Sequence, residues 1–121
     1  MAAKRAQGVE HVAIAGDLND TPESGPLAPL VGEGSDLTDI SAHPGFDDGG
    51  RPGTYANGTR GNKIDYVLLS PALFTKVTGG GVFRRGVWGG KHGTLWPIYP
   101  ETRFAHEAAS DHAAIFADVA L

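Results

Sequence analysis

Ala113-Ala114-Ile115-Phe116-Ala117-Asp118-Val119-Ala120-Leu121 is apolar along both faces of an extended chain. Ala113, Ile115, Ala117, Val119 and Leu121 fall on one side, and Ala114, Phe116, Asp118 and Ala120 on the other. A strand of that kind belongs between layers, so the expected architecture is a two-sheet sandwich rather than a half-solvated ribbon. A second strand is read at Lys63-Ile64-Asp65-Tyr66-Val67-Leu68-Leu69, ended by Ser70-Pro71. A third, short and expected to be buried, is Val9 to Ala15, stopped by Gly16. Asp20 or Thr21 is expected to cap a short helical turn with Pro22 at its first position, kept short by Pro26, Pro29 and Gly32. Leu37 to Ile40 and Thr54-Tyr55 read as brief ordered pieces in loop territory between residues 33 and 61. Further extended pieces are expected near Leu73 to Val77 and Val82 to Val87.

Composition bounds the chemistry. The 121 residues suffice for one small domain, and the 40% apolar and 20% charged content is that of a folded, water-facing protein. There is no cysteine, which excludes disulfides, thiolate nucleophiles and zinc–thiolate sites. No stretch approaches the roughly 18 apolar residues of a membrane span, and the start has no apolar segment behind its positive charges to serve as a secretory signal. The net charge of −4 does not predict indiscriminate adhesion to nucleic acid, and it leaves phosphodiester chemistry open when a divalent cation offsets the repulsion. Eighteen glycines and eight prolines without a triplet period mean many turns.

Three motifs carry chemistry: Gly16-Asp17-Leu18-Asn19, Ile64-Asp65-Tyr66 and Ser110-Asp111-His112. Each sets polar residues beside an expected strand. If the first strand runs antiparallel to the other two, the polar groups meet at one edge of the sheet. Three carboxylates, an amide and an imidazole would then share a cleft. Clustered carboxylates attract a hard cation that prefers oxygen, Mg²⁺ or Mn²⁺. A positioned carboxylate or imidazole can activate water, and a neutral amide such as Asn19 can orient a phosphate oxygen without adding charge.

In order and spacing these motifs, with Thr54-Tyr55 just before the second, resemble the endonuclease/exonuclease/phosphatase family of DNase I-like nucleases, abasic-site endonucleases, sphingomyelinases and inositol polyphosphate phosphatases. The resemblance runs from Val9 through Leu121 and corresponds to the family's C-terminal half. It implies an α/β fold in which residues 9–121 form half of a two-sheet, mainly antiparallel β-sandwich; residues 1–8 are expected to be a disordered N-terminal segment. It implies divalent-metal-dependent phosphoester hydrolysis with Mg²⁺ or Mn²⁺, with nucleic acid as the expected substrate and a lipid or inositol phosphate as the alternative. By the same resemblance His112 is the catalytic histidine, Asp65 fixes its tautomer, and Asp17 activates water or protonates the leaving oxygen. Asn19 is its phosphate- and metal-proximal partner, and Asp111 helps hold the metal. The family's early Asn and principal metal-binding Glu have no counterpart here, since Glu10, Glu23 and Glu33 stand in the wrong context. The expectation is therefore an incomplete site that needs an N-terminal half or partner chain, and an exposed sheet surface prone to self-association.

Plainer readings stand beside these. Asp17, Asn19 and Asp20 taken alone are turn-formers, and Ser110-Asp111 alone is as readily a turn. Asp65 within an apolar strand is harder to set aside, because a buried carboxylate needs a partner. His11, His43, His92 and His106 lack metal-ligand spacing, and Asp47-Asp48-Gly49-Gly50 reads as a solvated turn. Residues 88–109 have no clean period. In and just before that segment Arg84, Arg85, Lys91 and Arg103, interleaved with Trp88, His92, Trp96 and Tyr99, either grip phosphates and stack bases or pack the loop on itself. Two other functional classes remain open: a catalytically silent binding or assembly module, and a small β-sandwich whose carboxylates bind calcium for structure alone.

Overall fold

The computed structural model describes residues 7–32 and 34–121. Most of the expected 1–8 segment, residues 1–6, lies outside the described residues, as does Glu33. The described chain is mixed α/β, with most of its regular structure in two three-stranded sheets. One sheet has the order β1-β4-β2, built from β1 (Ala13–Asp17), β4 (Asp65–Leu69) and β2 (Thr38–Asp39), all antiparallel. The other has the order β3-β5-β6, with β3 (Phe46–Asp47) parallel to β5 (Val77–Phe83) and β6 (Ala114–Val119) antiparallel to it. Two single helical turns, α1 (Ala28–Val31) and α2 (Pro71–Phe74), complete the framework.

Strand β4 is the axis of the fold because both its faces are covered. Tyr66 and Leu68, each 0% exposed, point to one side and pack with Leu27 and Leu37, against Ile14, Leu18, Leu30 and Val31. Val67 and Leu69 point to the other and join Ile40, Leu73 and Val77, with Ile115, Ala117 and Val119 of β6. The two sheets thus share this second core. By strand alternation Asp65 lies on the same face as Val67 and Leu69, at the end of that shared layer.

Several expectations shift. The first strand begins at Ala13, and of its residues only Ile14 is half-buried. As an edge strand with one hydrogen-bonded neighbour, it is not the buried strand read over Val9 to Ala15. Residues 10–12 are instead tied to the end of β4 by fully buried Ser70, whose Oγ donates to Glu10 O at 2.6 Å and accepts from Val12 N at 3.0 Å. The region near Leu73 to Val77 is not extended at its start, because Pro71 at the first helical position sets up α2. The helical turn after β1 starts later than Pro22. Asp20 spends its carboxylate on Thr21 N at 2.9 Å and Ser24 Oγ at 2.5 Å, and Ser24 becomes the cap residue before a turn containing Pro26.

In place of a piece over Val82 to Val87, β5 runs unbroken through Gly79-Gly80-Gly81. A Cβ at Gly80 would stand 2.5 Å from Phe116 O, and one at Gly81 2.6 Å from Asp47 O. The glycines are needed so that β3 and β6 can approach. On β6 the inner residues Ile115, Ala117 and Val119 are half-buried, while Ala114, Phe116 and Asp118 are exposed. The apolar outer face expected to be covered is open, since no described element lies over it.

Candidate active site

Asp17 and Asp65 are register partners at one end of the β1–β4 pair, so antiparallel pairing alone brings the first two motifs together. The third motif arrives because β6 packs on the inter-sheet face of β4 and His112 lies just before β6. The Nδ1 of His112 is 2.9 Å from Asp65 Oδ2. Since a carboxylate only accepts, Nδ1 carries the hydrogen and Nε2 is left facing outward. That nitrogen lies 3.9 Å from Asp17 Oδ2 and 3.9 Å from Asp111 Oδ1. The hydrogen bond that Nδ1 donates to Asp65 raises the imidazole pKa above its ordinary value, reinforced by the charges of Asp65, Asp17 and Asp111 and opposed only by partial burial.

Asn19 takes a different part. It adopts a left-handed backbone, φ 55°, and its N–H donates to Asp17 Oδ1 at 2.8 Å. Its side chain is exposed, and no contact places it against the imidazole. The structure therefore brings Asp17, Asp65, Asp111 and His112 together, with Asn19 aiming the Asp17 carboxylate through its main chain.

Thr54-Tyr55-Ala56 is a clamp whose role the sequence did not reveal. Thr54 is 1% exposed, and its Oγ1 accepts from Asp65 N at 3.0 Å and Ile64 N at 3.2 Å. Its carbonyl accepts from Ala113 N at 2.7 Å, and Ala56 N donates to Asp111 O at 3.0 Å. Tyr55 bridges His112 in antiparallel fashion and sets its ring 4.9 Å from the imidazole. One tripeptide thus grips both the Asp65 strand and the Asp111-His112 turn. Ser110 adds an Oγ that accepts from His112 N at 2.9 Å. The only sequence signal was the adjacency of Thr and Tyr in a glycine-rich loop, which carries no periodicity.

Lys63 is buried behind the site. Its Nζ donates to Asp65 O at 2.5 Å, pairs with Asp39 Oδ2 at 3.3 Å and sits 4.0 Å over the Tyr66 ring. Burial lowers its pKa, partly offset by Asp39 and Asp65.

Over residues 2–112 the chain matches the model of the Endonuclease/Exonuclease/phosphatase family. The chain belongs to this family. No curated protein and no solved structure matches it. Endonuclease/exonuclease/phosphatase enzymes hydrolyse phosphoester bonds with divalent metals, and their DNase I-like fold is consistent with the two sheets seen here. The donor chemistry fits a hard cation: oxygen or nitrogen atoms of Asp17, Asp65 and His112 lie within 4.8 Å of one another, and Asp111 adds a carboxylate at the same edge. No helix among the described residues is long and apolar enough to cross a membrane.

Proposed function

We propose that this chain is the C-terminal half of a two-sheet, DNase I-like β-sandwich, spanning residues 9–121, that cleaves phosphodiester bonds in a nuclease-like reaction. The observation that carries the reading is the Asp65–His112 hydrogen bond with Asp17 and Asp111 both facing the opposite ring nitrogen. Asp65 holds the imidazole in one tautomer and favours its protonated form, so Nε2–H donates to a phosphoryl oxygen as negative charge grows there. Asp17, more exposed and aimed by Asn19 N, takes the proton of the attacking water or returns one to the leaving oxygen. Asp17 and Asp111, with Asn19 beside Asp17, would hold a divalent cation, Mg²⁺ or Mn²⁺, which would supply Lewis acidity toward the phosphoryl group.

The remaining ligands come from an N-terminal half or partner chain. The open outer face of β6 and its unpaired edge support that part of the reading. The test is a metal-dependent assay on a nucleotide phosphodiester, with the chain alone and with a supplied N-terminal half. Hydrolysis is expected with the half present and lost in His112→Ala. Hydrolysis that survives His112→Ala would overturn the assignment.

A further inference from the structure

The segment from Arg84 to Ser110 sorts its basic and aromatic side chains into two groups. Arg84, 8% exposed, turns inward and caps the carbonyls of Asp48, Arg51 and Gly53. Trp96 meets the guanidiniums of Arg84 and Arg51, 4.8 and 5.4 Å from its ring. Arg85 covers Tyr99 at 4.6 Å, and Arg103 sits over Phe104 and beside Glu107. These groups pack the loop on itself.

Trp88 and Lys91 do not. Both line a cavity of about 740 Å³ that also touches Asn57, Asn62, Ser110 and Asp111, so it opens directly beside the candidate active site. Its size falls within the roughly 300–1,000 Å³ usual for small-molecule sites. The six-membered ring of Trp88 is backed by Gly93, where a Cβ would come within 2.7 Å of it. Lys91 has no ion-pair or hydrogen-bond partner among the described residues. Asn57 accepts at Oδ1 from Asn62 Nδ2 at 2.8 Å, which fixes its amide and leaves its NH₂ free to donate.

We propose that this cavity is a nucleotide subsite, in which a nucleobase lies on the indole of Trp88 while Lys91 and the Asn57 amide take the attached phosphate. A flat, backed indole suits a π-face of any base, and a cation plus a neutral donor suits one phosphate. Lys91 also offsets Asp111 across the cavity, which otherwise repels an anion. The inference rests on the phosphoesterase reading for why a nucleotide arrives there, and names the part of the substrate recognised next to the bond that breaks.

The test is equilibrium binding of adenosine 5′-monophosphate to the chain in EDTA, followed by tryptophan fluorescence. Ribose 5-phosphate and adenosine serve as the base-free and phosphate-free controls. Saturable quenching by the nucleotide is expected, absent with ribose 5-phosphate and absent in Trp88→Phe. Lys91→Ala, at an exposed position, should weaken the nucleotide roughly tenfold, as for loss of one phosphate contact, and leave adenosine unchanged. Quenching that never saturates, persists in Trp88→Phe or ignores Lys91→Ala overturns the subsite. His112→Ala should lose hydrolysis of bis(p-nitrophenyl) phosphate in the presence of the supplied half. Intact hydrolysis without saturable binding therefore sinks the subsite alone, and binding without any His112-dependent hydrolysis sinks the phosphoesterase reading alone.

Discussion

Asp65 and His112 stand 47 positions apart in the chain and 2.9 Å apart in space, joined through Oδ2 and Nδ1. The carboxylate favours the imidazolium, so the histidine titrates above its ordinary value of about 6.5. An NMR titration in metal-free buffer should show this directly. Asp65→Asn should return His112 toward the ordinary range, since it removes the largest cause of the shift. A wild-type value at or below the ordinary one would contradict the geometry. The sign for stability follows from the direction. A folded-state value raised above the unfolded one stabilises fully below about pH 6.5, and that contribution fades as pH rises through the raised value. Urea denaturation in EDTA should therefore show this component falling on the alkaline side, and the fall should be absent in Asp65→Asn.

Thr54 separates a side-chain effect from a packing effect. Thr54→Val keeps the shape but strips the acceptor from Ile64 N and Asp65 N, two donors in a buried place. Leaving such groups unpaired costs about 1–3 kcal/mol. Thr54→Ser loses only a methyl group and keeps the oxygen. Denaturation midpoints should rank wild type, Ser, then Val, and the Val variant should also broaden or split the His112 ring signals as Asp65 loosens. Equal losses for Ser and Val would mean that the hydroxyl does not matter.

Much of this site was legible because its parts announce themselves locally. Asp65 is a carboxylate inside an apolar strand, and Asp17 and Asp111-His112 flank strands whose ends the glycine and serine mark. Antiparallel pairing then does the rest, setting Asp17 opposite Asp65. The clamp by Thr54 was not legible, since what it does is accept main-chain hydrogens from residues 10 and 11 positions away. Nor was the continuity of β5, because Gly79-Gly80-Gly81 reads as a breaker until two neighbouring strands are seen pressing on it. The segment holding Arg84, Trp88 and Lys91 mixes packed and free side chains of the same types, which residue identity cannot distinguish.

The glycines of β5 make a graded test of that pressure. Gly80→Ala would drive Cβ into Phe116 O at 2.5 Å, with Ile40 Cγ1 also near at 3.3 Å. A backbone oxygen in a strand pair cannot retreat without breaking the ladder, so a loss of about 1–3 kcal/mol or more is expected. At Gly79 the nearest atom would be Gly45 O at 3.5 Å, an ordinary contact, and Gly79→Ala should change stability by less than about 1 kcal/mol. Thermal melts of the two variants should differ clearly. Equal effects would show that β3 and β6 do not close on β5 as described.

The outer face of β5 and β6 exposes two phenylalanines. Gly81 pairs with Phe116 and Phe83 with Ala114, so both phenylalanines project on the same side, 51% and 42% exposed for Phe83 and Phe116. The Phe116 ring lies over the Gly81 position, where a Cβ would touch it at 3.4 Å. Among the described residues β6 pairs only with β5, which leaves its other edge free to hydrogen-bond. An apolar face beside an open edge is what edge-to-edge association requires. Sedimentation velocity should show concentration-dependent association of the chain alone. Phe116→Lys, which places a charge on that face without touching the inner residues Ile115 and Ala117, should shift the distribution toward monomer. The same variant should leave the Asp65–His112 pair intact, because the outer face lies across β6 from the shared core. A wild-type chain that stays monomeric over the same concentrations would show that this face needs no cover.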